Sequence, residues 1–90
     1  MGAFVIKRSG EYEPLKPFKI EDAIQKGFRS TGTQYDGSGY AQVIRQVDGR
    51  TTWAVEEIQD LIEKELYRKG HFEVMRSFML YRHTRKLQRE

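Results

Sequence analysis

Val5-Ile6-Lys7-Arg8-Ser9-Gly10-Glu11-Tyr12-Glu13-Pro14-Leu15-Lys16-Pro17-Phe18-Lys19-Ile20 is the stretch that decides the fold. An apolar run from Phe4 ends in two cations and a Ser-Gly turn, and a short return follows from Glu11 to Leu15. That is the signature of a β-hairpin. Pro14 cannot donate to a ladder, so the return strand is expected to be short or to lie at an edge. Pro17 suits the first position of a helix, where its missing N–H costs nothing. The layout brings Lys7, Arg8, Lys16 and Lys19 near one spot, where the hairpin meets a helix N-terminus. Four cations so close repel one another, and an anion relieves the repulsion. Charge-assisted hydrogen bonds and the helix N-terminus both favour a polyanion there.

Outward from this start the chain reads as helices. Ile20, Ala23, Ile24, Gly27 and Phe28 recur at i, i+3, i+4, i+7 and i+8, the period of an amphipathic helix. A Gly-rich polar loop follows over 33–39. Tyr40, Val43, Ile44 and Val47 mark a shorter second helix that Asp48-Gly49 stops. Arg50-Thr51-Thr52 connects to a third helix with Val55, Ile58, Leu61, Ile62 and Leu66 on one face. Gly70 suits its C-terminal cap, with Arg68 and Lys69 in the last turn. A fourth helix starts near His71 and Phe72. Its stripe of Met75, Phe78 and Met79 runs into Arg82 and Arg85, and its end, 87–90, is expected to fray. The expected fold is α+β, a short N-terminal hairpin packed on four α-helices.

Ninety residues make one domain, with a core expected over about 4–86. A chain of this length buries only about 60–65% of its unfolded surface. It has no cysteine, which removes disulfides, thiolate-zinc sites and thiol nucleophiles and fits a reducing, cytoplasmic setting. No apolar run approaches the roughly 20 residues of a membrane span. Lys7 and Arg8 break the apolar start too early for a signal peptide. The two histidines, His71 and His83, have no partner at metal-ligand spacing, so no metal ligands are expected. The loop over 33–39 lacks the Gly-Lys-Ser/Thr ending of a phosphate loop. The formal net charge is only +3, but it is uneven. Glu56, Glu57, Asp60, Glu63 and Glu65 make the third helix acidic, mainly as a solvated face. Arg76, Arg82, Arg85, Lys86 and Arg89 make the end of the chain basic. Such a stripe suits nucleic acid or an acidic partner.

Three blocks together carry a family resemblance. VIKRSGEYEPLKPFKIEDAI (5–24), VEEIQDLIE (55–63) and FMLYRHTR (78–85) resemble, in order and at the right intervals, the ATP-cone domain. The resemblance covers Val5 to Arg85. It implies an allosteric module that binds ATP or dATP, placed mostly at the N-termini of ribonucleotide reductase subunits. There ATP permits activity and dATP inhibits it, often through altered oligomerisation. It implies regulation without catalytic residues, with magnesium accompanying the nucleotide and its phosphates supplying most of the ligands. A copy attached to a Cys-rich zinc ribbon in a bacterial repressor is a less fitting host, because this chain has no cysteine.

The resemblance also carries site residues. Val5 and Ile6 match positions flanking the adenine. Lys7 and Arg8 match the paired cations that hold phosphates or the sugar edge. Glu13 matches the acid of the return strand, placed to steer lysines or to bind a hydroxyl or amine. Lys16 and Lys19 match positions near the phosphates. Ile58 and Gln59 match positions approaching the base or sugar. Arg82 and Arg85 match the closing motif, where a cation reaches the phosphates. Thr51 and Thr52 are both candidates for a threonine often found before the third helix. One or two bound nucleotides remain open, with Phe28, Trp53, His71 and Phe72 as candidate platforms for a second base. The fourth helix is the candidate relay to reductase partners or to a homo-oligomer. A small basic nucleic-acid-binding or transcription-regulatory domain is the alternative function.

Overall fold

The computed structural model describes residues 2–37 and 39–89, with side chains described up to residue 85. Seven elements follow in order: β1 (Phe4–Ile6), β2 (Tyr12–Pro14), α1 (Pro17–Ser30), α2 (Tyr40–Val47), β3 (Thr52–Ala54), α3 (Val55–Arg68) and α4 (Phe72–Arg89). The expected hairpin and four helices are present. Where the end of the chain was expected to fray, α4 continues as helix to Arg89, and residue 90 lies outside the described residues.

The hairpin pairs β1 and β2 antiparallel, with Phe4 opposite Pro14, Val5 opposite Glu13 and Ile6 opposite Tyr12. Its turn closes by Lys7 N–H to the Glu11 carbonyl and Gly10 N–H to the Lys7 carbonyl, each 2.8 Å. Gly10 sits at φ +93°, a conformation that disfavours any residue with a Cβ. β2 is an edge strand, which is where Pro14 is tolerated.

One element differs from expectation. The segment before the third helix forms β3, parallel to β1, with Val5 opposite Trp53, so the sheet order is β2-β1-β3. Helices α1 and α2 form the long crossover that a parallel pair requires. β3 runs into α3 without a loop, so the sheet fixes where α3 begins. There the Glu57 carboxylate accepts the Ala54 N–H at 2.9 Å, the reach-back half of a capping box.

The core is formed by Ile20, Ile24 and Phe28 of α1, Val43 and Val47 of α2, Trp53 of β3, Ile58, Ile62 and Leu66 of α3, and Val74 and Phe78 of α4. The Trp53 indole N–H donates to the Val47 carbonyl at 2.8 Å, which satisfies a buried donor and ties α2 to the sheet. α3 ends in a Schellman motif: Gly70 N–H bonds the Tyr67 carbonyl at 3.0 Å and His71 N–H bonds the Leu66 carbonyl at 2.9 Å, with Gly70 at φ +82°. On α4 the buried pair is Val74 and Phe78, while Met79 of the expected stripe is 45% exposed. The inward line continues one turn beyond Phe78 to Arg82, so the apolar face does run out into a cation.

Candidate functional site

The hairpin end, the start of α1, the first turns of α3 and the later turns of α4 enclose one cleft. Its inner part, about 160 Å³, is lined by Val5, Leu15, Ile20, Val55, Ile58, Ile62 and neighbouring residues, with Glu13, Lys16, Lys19 and Gln59 at its polar side. Its outer part, about 530 Å³, is lined by Lys7, Arg8, Lys19, Lys26 and Arg85 together with Phe18 and Tyr81. Val5, Glu13, Lys19, Ala23, Val55 and Gln59 line both parts. The result is an apolar floor with a cationic mouth. A larger hollow, about 600 Å³, lies between Gly2, Ala3, Asp48, Arg50 and Thr51. Its one cation is already engaged: Arg50 pairs with Glu57 and lies 3.8 Å over the Trp53 ring.

Nine of the eleven residues singled out from the sequence line the cleft: Val5, Lys7, Arg8, Glu13, Lys16, Lys19, Ile58, Gln59 and Arg85. Ile6 does not, because alternation along β1 puts it on the other face of the strand from Val5. Arg82 does not either. Its side chain is 17% exposed and its guanidinium is bound by three carboxylates of α3: Glu56 at 2.7 Å, Asp60 at 2.9 Å and Glu63 at 2.6 Å. It also donates to the Glu56 backbone carbonyl at 3.2 Å. Burial disfavours the charged guanidinium, but hydrogen bonds to Glu56, Glu63 and Asp60 outweigh it and hold Arg82 above its ordinary value. The acids at 56, 60 and 63 therefore form an ion-pair network on a face that stays partly solvated, and Glu65 is the acid of α3 that departs from the expected solvated face, being buried. The basic stripe expected on α4 loses its centre to that network, and the side chains of Lys86 and Arg89 lie outside the described residues.

The lysines of the hairpin and the start of α1 are held loosely. Lys7 lies 3.9 Å from Glu11 and Lys19 3.7 Å from Glu13, both exposed enough for water to weaken the pairing. Lys16 has no ion pair among the described residues. Arg85 donates to the Tyr81 hydroxyl at 2.9 Å and meets no carboxylate among them. Arg8 Nη2 lies 2.5 Å from Glu56 Oε2. That close ion pair helps to hold the Glu56 carboxyl down, while the buried Nε of Arg8 meets no acceptor among the described residues. The buried Gln59 Oε1 has no donor among the described residues. Unmatched buried polar atoms are costly in a folded protein, and a ligand is one way to match them.

Lys26 and Tyr81 also line the mouth and were not singled out from the sequence. Spacing offered a signal, since Lys26 is two turns after Lys19 and Tyr81 one turn before Arg85. Phe28 and Trp53, candidate platforms for a second base, are core residues at 0% and 9% exposure. Phe72 is exposed and packs on Tyr67 with ring centroids 5.5 Å apart. No cluster of three or more His, Asp or Glu suited to a metal ion occurs among the described residues. No helix among them is long and apolar enough to cross a membrane.

The Glu56 carboxyl is held below its ordinary value of 4.5, first by the hydrogen bond from Arg82 and then, against partial burial, by Arg8. A depressed folded-state value means the unfolded state takes up the proton first. Glu56 therefore contributes its stability in full above about pH 4.5 and loses it as pH falls through the depressed folded value. Urea midpoints measured from pH 7 to pH 3 are expected to fall less steeply in Glu56→Gln than in the parent chain. An unchanged acid slope would remove Glu56 from the acid response.

The ATP cone domain family matches residues 3–87, and the chain belongs to that family. Relatives at similar distance are long proteins. The ribonucleoside-diphosphate reductase subunit alpha of Chlamydia pneumoniae is 30% identical over 95 residues, covering 90% of this chain and 9% of that protein. The anaerobic ribonucleoside-triphosphate reductase of Escherichia coli K12 is 30% identical over 93 residues, covering 100% of this chain and 13% of the reductase. The subunit alpha of Treponema pallidum is 33% identical over 92 residues, 90% of this chain and 11% of the subunit. The chain thus spans about a tenth of the length of these relatives.

Proposed function

We propose that this chain is a nucleotide-sensing regulatory domain of a ribonucleotide reductase subunit, binding ATP or dATP in the cleft between the hairpin and helices α1, α3 and α4. The observation that carries the reading is the cleft itself, an apolar floor leading to a cationic mouth. An adenine suits the floor beside Val5 and Ile58, and Gln59 can exchange hydrogen bonds with its edge. A triphosphate suits Lys7, Arg8, Lys16, Lys19 and Arg85, since charge-assisted hydrogen bonds are about twice as strong as neutral ones. Glu13, beside Lys19, is placed to orient that lysine or to accept from a hydroxyl or amine. Magnesium accompanies the triphosphate, whose oxygens supply most of its ligands. The domain regulates without catalysing, and its work lies in the cytoplasm with the rest of a reductase.

ATP and dATP differ by one hydroxyl, and a ligand shifts an equilibrium only by its differential affinity for two states. On this reading dATP inhibits by favouring a different assembly of reductase subunits, with α4 as the element that senses occupancy. Isothermal titration with ATP, dATP and GTP, followed by sizing of each mixture, tests the reading. Adenine nucleotides are expected to bind and GTP to bind weakly, with stoichiometry giving one site or two. Growth in size with dATP alone would support the assembly switch. Absence of adenine-nucleotide binding would defeat the whole reading.

A further inference from the structure

We infer that Glu56 is a built-in competitor for the anion site, a carboxylate that occupies the phosphate-binding edge of Arg8 when the cleft is empty. The inference rests on the reading of the cleft as a polyphosphate site. Nε and Nη2 form the side-on fork of an arginine, the edge that takes a carboxylate or a phosphate in two parallel bonds. In Arg8 that edge is buried, Glu56 Oε2 stands 2.5 Å from Nη2, and Nε has no acceptor among the described residues. The carboxylate holds Nη2 in a close ion pair and leaves Nε unspent. Glu56 cannot turn further toward Arg8, because its other oxygen accepts from Arg82 Nη2 at 2.7 Å and Nε at 3.2 Å. The carboxylate is therefore anchored from behind and reaches Arg8 imperfectly.

An incoming phosphate oxygen has no such tether and can take both donors of the fork. It then meets Glu56 as a like charge, with the carboxylates of Asp60 and Glu63 behind it and only Arg82 left to balance all three. Binding is weakened by that repulsion, so Glu56 sets affinity through Arg8. It is a positioning residue, and its effect has an unusual sign: removing its charge strengthens binding. A purely structural role would weaken binding or leave it unchanged.

The test is a double-mutant cycle on the whole chain, titrated with ATP and with inorganic tripolyphosphate. Glu56→Gln keeps the shape and removes the charge, and thermal melting checks that each variant folds. It is expected to tighten both ligands about threefold to fivefold, the range of a half-exposed ion pair. In the Arg8→Ala background, which binds more weakly but keeps Lys7 and Lys19, the same substitution is expected to give no gain. Equal or weaker binding by Glu56→Gln overturns the inference. So does a gain that persists without Arg8, which would mark a general field and not competition for one guanidinium. Should tripolyphosphate bind and ATP fail, the nucleotide reading falls while the cycle still decides the role of Glu56. If neither ligand binds the parent or Glu56→Gln, both fall.

Discussion

Replacing Lys7 and Arg8 together by alanine is expected to weaken ATP and dATP binding more than about a hundredfold while the helical circular dichroism survives. A hydrogen bond to a charged group contributes about 1.5–3 kcal/mol. Losing two such donors removes about 3 kcal/mol or more, and each 1.4 kcal/mol is about tenfold in affinity. The fold has little at stake in either side chain. Lys7 pairs only with exposed Glu11 at 3.9 Å. Arg8 pairs with Glu56 at 2.5 Å, but Glu56 keeps Arg82 when Arg8 is gone. The turn is held by backbone bonds at Lys7 and Gly10 that alanine can still make. Titration beside far-ultraviolet dichroism separates the two effects. Unchanged affinity in a folded variant would remove the cleft as the binding site.

How much of this was readable from the chain depends on the range of the interaction. Gly10, Pro17 and Gly70 act within a few residues of themselves, so the hairpin turn, the start of α1 and the end of α3 followed from local rules. The 3.6-residue period of α1 and α3 was long enough to mark the buried faces. β3 was not legible, because three residues cannot display an alternation. What makes them a strand is pairing with β1, some fifty positions away in the register of Val5 with Trp53. The acids at 56, 60 and 63 were visible at helical spacing, but their partner was not. Their meeting with Arg82 depends on how α3 packs on α4, which no local rule fixes. The cationic mouth was legible for the opposite reason. Lys7, Arg8 and Lys19 are brought to the mouth by one hairpin and one helix start, both short-range features, while Lys26 and Arg85 complete it from farther along the chain.

Phe28→Ala is expected to cost about 3–5 kcal/mol, the range for deleting a buried aromatic side chain. A domain of this length has about 5–13 kcal/mol in all, at 0.05–0.15 kcal/mol per residue, so the variant would stand near the edge of folding. The position explains why the upper half of the range is expected. Phe28 is fully buried, the largest of the side chains with essentially no exposure. Its ring meets Tyr35 edge-on at 5.2 Å and His71 at 5.0 Å, joining α1 to the loop after it and to the start of α4. Its carbonyl accepts the Thr33 N–H at 3.0 Å, so the backbone at this point also turns the chain out of α1. A cavity here could not be filled from the surface, because Ile24, Val43, Leu66 and Val74 around the core are already buried. Urea unfolding by dichroism is expected to show a midpoint lower by about 1 M or more. Loss of Phe28 should also loosen the loop at Tyr35, whose phenol is pushed up to about 12 by burial and by Glu21. A stability change below about 1 kcal/mol would mean that the core repacks around the gap, contrary to the close packing expected of protein interiors.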